Sequence, residues 1–315
     1  MTTTPRSRRE FLKRGSALAA SLGVSVLGAA PAPAGVTLGF SLYGMKPLTL
    51  DKALQTCAAI GYDAVEFPLM PGYPTEPKLL TADARRDLAR RLAALGLRLG
   101  ALMENLPLTG DAKSHQQNLD RIKAAAELAH AISPAAPPPL ETVLGGRPDQ
   151  WALLRDGFAE RLRGWAEIAA AHKLVVAIKP HVSGAMHLPE HALWLLDQVR
   201  SPWIKAAYDF SHYQLRGLAL ADTLKALLPQ SVFIHVKDSE GELGKFKFVL
   251  PGEGTIDYRD YFSRLKEAAW TGPVMVEVSS QVFNQAGYDP FLAAKKSYAA
   301  LAPAMSAAGL RAGGR

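Results

Sequence analysis

From Val36 onward, short apolar runs alternate with amphipathic helical stretches eight times over, and few folds accept that rhythm. The expected strands are residues 36–42, 64–67, 97–103, 140–144, 174–179, 204–209, 232–237 and 274–278. The expected helices are residues 50–60, 82–95, 116–131, 150–171, 190–199, 218–228, 258–269 and 290–301. Helical spacing is clearest in Trp151, Leu154, Phe158, Leu162, Trp165, Ile168 and Ala169. Gly61, Gly96 and Gly272 stand where helices hand back to strands, as a left-handed C-terminal cap requires. Strands that alternate with helices form a parallel sheet, either open and doubly wound or closed. Eight units of about 35 residues each suit a closed (β/α)8 TIM barrel. No G-x-G-x-x-G follows the first strand, since Gly39 to Gly44 miss that spacing, so a dinucleotide-binding sheet is the weaker reading. The proline-rich stretch 134–139 is short and reads as a stiff connection inside one domain.

The first 34 residues follow different rules. Ser7-Arg8-Arg9-Glu10-Phe11-Leu12-Lys13 precedes an apolar run over 17–30 and then Ala32-Pro33-Ala34. The order of basic head, weakly apolar body and small-residue exit resembles a twin-arginine signal peptide. The expected organisation is therefore a signal over 1–34, cut before Gly35, and a barrel over 35–315. The implied partner is the twin-arginine export machinery, and the expected location is the periplasm. That pathway carries folded proteins, which hints at a cofactor loaded before export. The apolar run is too short for a stable membrane anchor.

Charge narrows the partners. The formal net charge is +7, but five basic residues against Glu10 in the leader leave +3 for the rest. No dense basic stripe interleaved with aromatics is present, so nucleic acid is not the expected ligand. Cys57, the only cysteine, lies in an apolar helical stretch and reads as a small buried hydrophobe.

In such a barrel, polar residues at the C-terminal ends of the strands are the functional candidates. The second strand ends at Glu66 and the third at Glu104; the fifth ends in Lys179-Pro180-His181. The sixth ends in Asp209 with His212 just beyond, the seventh in His235-Val236-Lys237-Asp238, and the eighth in Glu277. Asp209, His235 and Glu277 fall on three consecutive strand ends and are ligand types for Mn2+, Mg2+, Co2+ or Zn2+.

Asp209-x-x-His212 followed by His235-Val236-Lys237-Asp238 resembles the sixth- and seventh-strand signatures of the xylose-isomerase-like sugar isomerase and epimerase superfamily. Pro251-Gly252-Glu253-Gly254 with Gly272-Pro273-Val274-Met275-Val276-Glu277, and Gly61-Tyr62-Asp63-Ala64-Val65-Glu66, are similar to its other landmarks. The resemblance implies a metal held by a glutamate on strand five, an aspartate on six, a histidine on seven and a glutamate on eight. Three carry over, to Asp209, His235 and Glu277. At the fourth position this chain has Lys179. The implied acid/base pair of two glutamates keeps only Glu277, the expected base.

Two readings stay open at Lys179. Three residues still hold a divalent metal, with Lys179 beside it as a second base, or the ammonium of Lys179 substitutes for the ion. His181 and His212, and less specifically Glu66 and Lys237, are expected to contact substrate. Tyr43, Tyr73, Trp203, Tyr213 and Phe248 are candidates for stacking on a sugar ring. The glycine-bearing loop 238–257 is expected to fold over the pocket. His115, His130, His172, His187 and His191 are expected to have surface roles.

The expected activity is proton abstraction next to a carbonyl in a small carbohydrate, as an isomerase or epimerase. The alternatives are β-elimination from a 3-keto-glycoside and an exported sugar-binding protein without catalysis. The superfamily's endonucleases at abasic sites need more histidine ligands than this chain offers. A homo-oligomer is compatible with the sequence.

Overall fold

Side-chain caps fix where the helices begin. Thr49, Thr81 and Asp111 each accept a backbone N–H bond at the start of α1 (Leu50–Ile60), α2 (Ala82–Ala94) and α3 (Ala112–Ile132). Gly61, at φ 106°, closes α1 in the left-handed conformation, and β2 (Ala64–Pro68) follows within three residues. The computed structural model describes residues 36–311. The expected signal segment and its cleavage site lie outside the described residues.

The remaining elements are β1 (Thr37–Ser41), β3 (Arg98–Asn105), β4 (Leu140–Val143), α4 (Trp151–His172), β5 (Val176–Ile178), α5 (Pro189–Val199) and β6 (Ile204–Asp209). They continue with α6 (Phe210–Gln214), α7 (Leu220–Leu227), β7 (Ser231–Val236), β8 (Asp238–Glu242) and β9 (Lys245–Val249). Last come α8 (Tyr258–Glu267), β10 (Pro273–Val276), α9 (Ser280–Phe283) and α10 (Pro290–Ala307). Eight parallel strands close in the order β1-β10-β7-β6-β5-β4-β3-β2, so β10 is the eighth barrel strand. Closure runs through Thr37 opposite Pro273 and Phe40 opposite Val276. The fold is the (β/α)8 barrel expected, and each expected strand and helix is present.

Besides the short α9, a hairpin and a further short helix were not anticipated as secondary structure. The loop 238–257 contains an antiparallel hairpin of β8 and β9, and α6 turns off the end of β6. The hairpin carries Phe248 over the barrel mouth, where the loop was expected to fold.

The barrel interior is layered by the strand's period of two. One layer is apolar: Ala64, Ala101, Ala177, Ala207, Phe233 and Met275. The alanines keep that layer thin, and the Met275 side chain crosses it. A Cβ on Gly39 or Gly100 would collide with Met275, so both positions admit that side chain because they have none. Two residues beyond Ala64, Ala177, Ala207, Phe233 and Met275 come Glu66, Lys179, Asp209, His235 and Glu277. The charged layer is thus built directly on the apolar one. Outward-facing residues such as Phe40, Leu102, Tyr208 and Ile234 join the barrel-to-helix core with Trp165, Leu195 and Phe262. Among the described residues no helix is long and apolar enough to cross a membrane.

Candidate active site

Each site residue is delivered by a strand end. The N–H of Lys179 continues the β4–β5 ladder onto Thr142 O at 2.9 Å, and that of Glu277 continues the β7–β10 ladder onto Val236 O at 3.1 Å. Asp209 lies opposite His235 in register, and its Oδ1 caps α6 by accepting from Ser211 N at 3.1 Å and Ser211 Oγ at 2.6 Å. Irregularities in the ladder fall at Val65/Glu66 and Ala206/Ala207, just below two of the acids.

The charged layer is one connected cluster. Lys179 Nζ lies 2.8 Å from His235 Nδ1, 3.0 Å from Glu277 Oε2 and 3.0 Å from Glu141 Oε1. Lys237 Nζ donates to Asp209 Oδ2 and, at 2.8 Å, to Glu277 Oε2. His235 Nε2 meets Glu66 Oε2 at 2.9 Å. Among the described residues, the hydrogen bonds that the Glu277 carboxylate accepts come from Lys179 and Lys237 and fall on Oε2. Above the cluster is a cavity of about 460 Å3, bounded by Tyr43, Tyr73, Glu104, Glu141, Lys179, His181, Lys237, Phe248 and Glu277.

Burial opposes charge on every member, and the neighbours decide the outcome. Burial works against the Lys179 ammonium, but Glu141, Glu277 and Asp209 outweigh it and raise its pKa above the usual lysine value. Burial would raise Glu277, yet the ammoniums of Lys179 and Lys237 pull it well below the usual carboxylate range. Glu141 goes the other way: burial raises it, and Lys179 offsets that only in part. Burial, with the Lys179 and Lys237 ammoniums nearby, pushes His181 down to about 4. Two tendencies meet at His235, where burial is outweighed by Glu66 and the imidazole is raised to about 9. The 2.8 Å contact with the Lys179 ammonium, however, leaves no room for a proton on Nδ1. The contact decides the tautomer: Nδ1 accepts from Lys179, and Nε2–H donates to Glu66.

The expected residues converge, but not in the roles expected for all of them. Lys179, Asp209, His235 and Glu277 share one cluster at the same rim, and His181 and Lys237 face the cavity. Glu66 is fully buried against His235 and does not line the cavity, a position that supports the imidazole. His212 is likewise buried behind His181, with ring centroids 4.3 Å apart; its Nδ1 accepts from Val182 N and its Nε2 lies 3.3 Å from Lys237 Nζ. It backs the cavity wall instead of lining it. Of the five aromatic candidates, Tyr43, Tyr73 and Phe248 line the cavity and Trp203 and Tyr213 do not. His187 and His191, expected at the surface, are buried, with His191 stacked on Trp151 at 4.1 Å.

Glu141 was missed. It lies on β4 within Leu140-Glu141-Thr142-Val143, and the signal available was an acid inside an otherwise apolar buried strand. Glu104 also lines the cavity, and its carboxylate receives the Arg121 guanidinium, with one contact at 3.0 Å.

Asp209, His235 and Glu277 offer ligand atoms within 4.8 Å of one another, a spacing and donor chemistry suited to a divalent cation. The ammoniums of Lys179 and Lys237 meet the same donors. In this arrangement the trio therefore does not offer a metal its free lone pairs.

Residues 54–303 match the family described as xylose isomerase-like TIM barrel, and the chain belongs to it. Over 127 residues it is 27% identical to L-ribulose-5-phosphate 3-epimerase UlaE of Escherichia coli, a match covering 40% of this chain and 44% of that protein. The chain thus matches under half the length of that relative. The fold superposes on the IOLI protein with a bound zinc atom at a TM-score of 0.71, with 20% identity over 88% of this chain and 100% of that one. It superposes on 3-keto-D-glucoside 4-epimerase YcjR from E. coli at a TM-score of 0.65, with 17% identity over 84% of this chain and 98% of that one.

Proposed function

We propose that this member of the xylose isomerase-like TIM barrel family is an exported sugar isomerase or epimerase that removes a proton from the carbon beside a carbonyl. The single observation that carries the reading is Glu277, a carboxylate at the cavity floor whose Oε2 receives the ammoniums of Lys179 and Lys237. Those contacts leave Oε1 as the proton acceptor and fix its direction. The same nitrogens put positive charge where a substrate carbonyl oxygen would become an enediolate oxygen. A low carboxylate pKa makes Glu277 a weak base at rest, so the reaction depends on the enediolate being stabilised as the proton moves. Glu141, an anion paired with Lys179 whose pKa burial nonetheless raises, is the second carboxyl at the cavity wall and is suited to taking up and returning a proton during turnover. His181 Nδ1 accepts from Ser183 N at 3.2 Å, which leaves Nε2–H as a donor to a sugar oxygen.

A divalent cation on Asp209, His235 and Glu277 would supply the same electrophilic stabilisation, and the zinc of the IOLI protein supports that version. A second reading is β-elimination from a 3-keto-glycoside. It is favoured by Lys179 in place of the fifth-strand glutamate, since elimination needs one base more than two. The name of the YcjR epimerase supports a 3-keto-sugar as the substrate class. Export rests on the twin-arginine pattern of Arg8 and Arg9. Substituting both by lysine and fractionating the cells tests it, with retention in the cytoplasm as the expected result.

Exchange of solvent deuterium into a panel of ketopentoses, ketohexoses and 3-keto-glycosides, followed by NMR, tests the reaction. The expected result is exchange at the carbon next to the carbonyl, lost by about a thousandfold or more in Glu277→Gln. A thermal shift on sugar binding without exchange in any substrate would instead make the protein a sugar binder.

A further inference from the structure

Lys237 reaches the candidate metal donors as Lys179 does, and the two meet at Glu277 Oε2. Between them the two ammoniums contact Asp209 Oδ2, His235 Nδ1 and Glu277 Oε2, which are donor atoms of each member of the trio. They also line the cavity beside Glu277, while Asp209 and His235 do not reach it and are buried. We infer that in this barrel the ammonium groups of Lys179 and Lys237 together take the place of the divalent cation. This deepens the proposed reaction, and it rests on that reading only for what the ammoniums do to a substrate.

Charge and space both support the exchange of ion for lysines. Two ammoniums carry the +2 of the ion they replace, facing the carboxylates of Glu66, Glu141, Asp209 and Glu277. A metal bonds its ligands at about 2.0–2.2 Å, so an ion seated on the trio would lie within contact distance of both ammonium nitrogens. It could enter only by driving them out. Glu141 resists that. Its cationic partner among the described residues is Lys179 at 3.0 Å, and its carboxylate is 2% exposed. Removing Lys179 would leave a buried carboxylate without its counter-charge, which is costly. Asp209 resists it too, because Oδ1 is taken by Ser211 and Oδ2 by Lys237. Thus the lysine on strand five and the glutamate on strand four form one device, a cation and the anion that keeps it in place.

The test compares the mature wild-type protein with Lys179→Glu. Metal content is measured after desalting, and MnCl2 and ZnCl2 are titrated calorimetrically. Thermal midpoints are recorded with EDTA and with each metal. The wild type is expected to hold less than about a tenth of an equivalent, with a midpoint that neither EDTA nor either metal moves. Lys179→Glu supplies the fourth donor and is expected to bind about one Mn2+ and gain several degrees with it. Near-stoichiometric metal in the wild type, or a midpoint lowered by EDTA, would overturn the inference, and that arm decides it even if the variant does not fold. Metal-free protein without deuterium exchange removes the proposed reaction and leaves this inference standing. Metal-loaded protein that exchanges does the reverse.

Discussion

His235 Nε2 lies 2.9 Å from Oε2 of Glu66, a contact that reaches across the barrel from β7 to β2 past the two strands between them. Neither residue is exposed. Because Nδ1 accepts from Lys179, the proton on Nε2 needs an acceptor, and Glu66 provides it. Glu66→Ala leaves that N–H buried and unpaired, a cost of about 3 kcal/mol; Glu66→Gln keeps an acceptor oxygen and is expected to cost about 1 kcal/mol. Urea unfolding measures both, and equal losses would mean that the contact does not carry the tautomer.

The order of elements was legible because the two periods differ so sharply, 2.0 along the strands and 3.6 along the helices. Asp209, His235 and Glu277 were legible for the same reason, each ending an apolar run. The hairpin was not: Glu240, Gly241, Glu242 and Gly244 give no apolar alternation, and its pairing is set by the turn at Leu243-Gly244, where Gly244 has φ 92°, with Phe248 carried over the mouth. Glu66 and His212 were placed at the rim correctly but one layer too close to substrate, since depth along the barrel axis leaves no trace in a local pattern. Glu141 stayed hidden because a buried acid has meaning only beside its cation. Lys179 lies 38 residues further along the chain, on the neighbouring strand.

The thin apolar layer under the site makes a second prediction. Gly39→Ala sets a methyl group into the space the Met275 side chain crosses, and overpacking of that kind costs about 1–3 kcal/mol. Adding Met275→Val should restore part of the loss, because the nearest collision is with the methionine's far end; the Ala64 carbonyl oxygen, 2.8 Å from the new methyl group, accounts for what remains. Denaturant midpoints of the three proteins check this, and a double variant no better than Gly39→Ala would place the strain elsewhere.

Phe248 is expected to act on binding more than on chemistry. Its ring lies 4.9 Å from Lys237 Nζ and edge-on to His212 at 5.1 Å, so it both covers the cluster and forms part of the cavity wall. Phe248→Ala should raise KM roughly tenfold with kcat nearly unchanged, the signature of binding lost equally from substrate and transition state. A fall in kcat at constant KM would instead give the hairpin a part in the proton transfer. Steady-state kinetics on whichever sugar shows exchange separates the two.

His181 gives the acid limb of stability. In the folded protein, burial and the two ammoniums hold it down at about 4, whereas an unfolded histidine titrates near 6.5. Between those values the unfolded chain binds a proton that the folded chain refuses, so stability rises with pH there. Read downward, it is lost as pH falls from about 6.5 and the loss is complete below about 4. His212, pushed down by burial and by Lys237, adds to the same slope. His181→Asn removes one of these protons from the linkage while leaving a polar side chain at the wall. Its urea midpoint should therefore fall less steeply than the wild type's between pH 6.5 and 4.5. Parallel curves would mean that His181 is charged in the folded protein, which would place a third cation beside Lys179 and Lys237 and take away the neutral donor that a sugar oxygen requires.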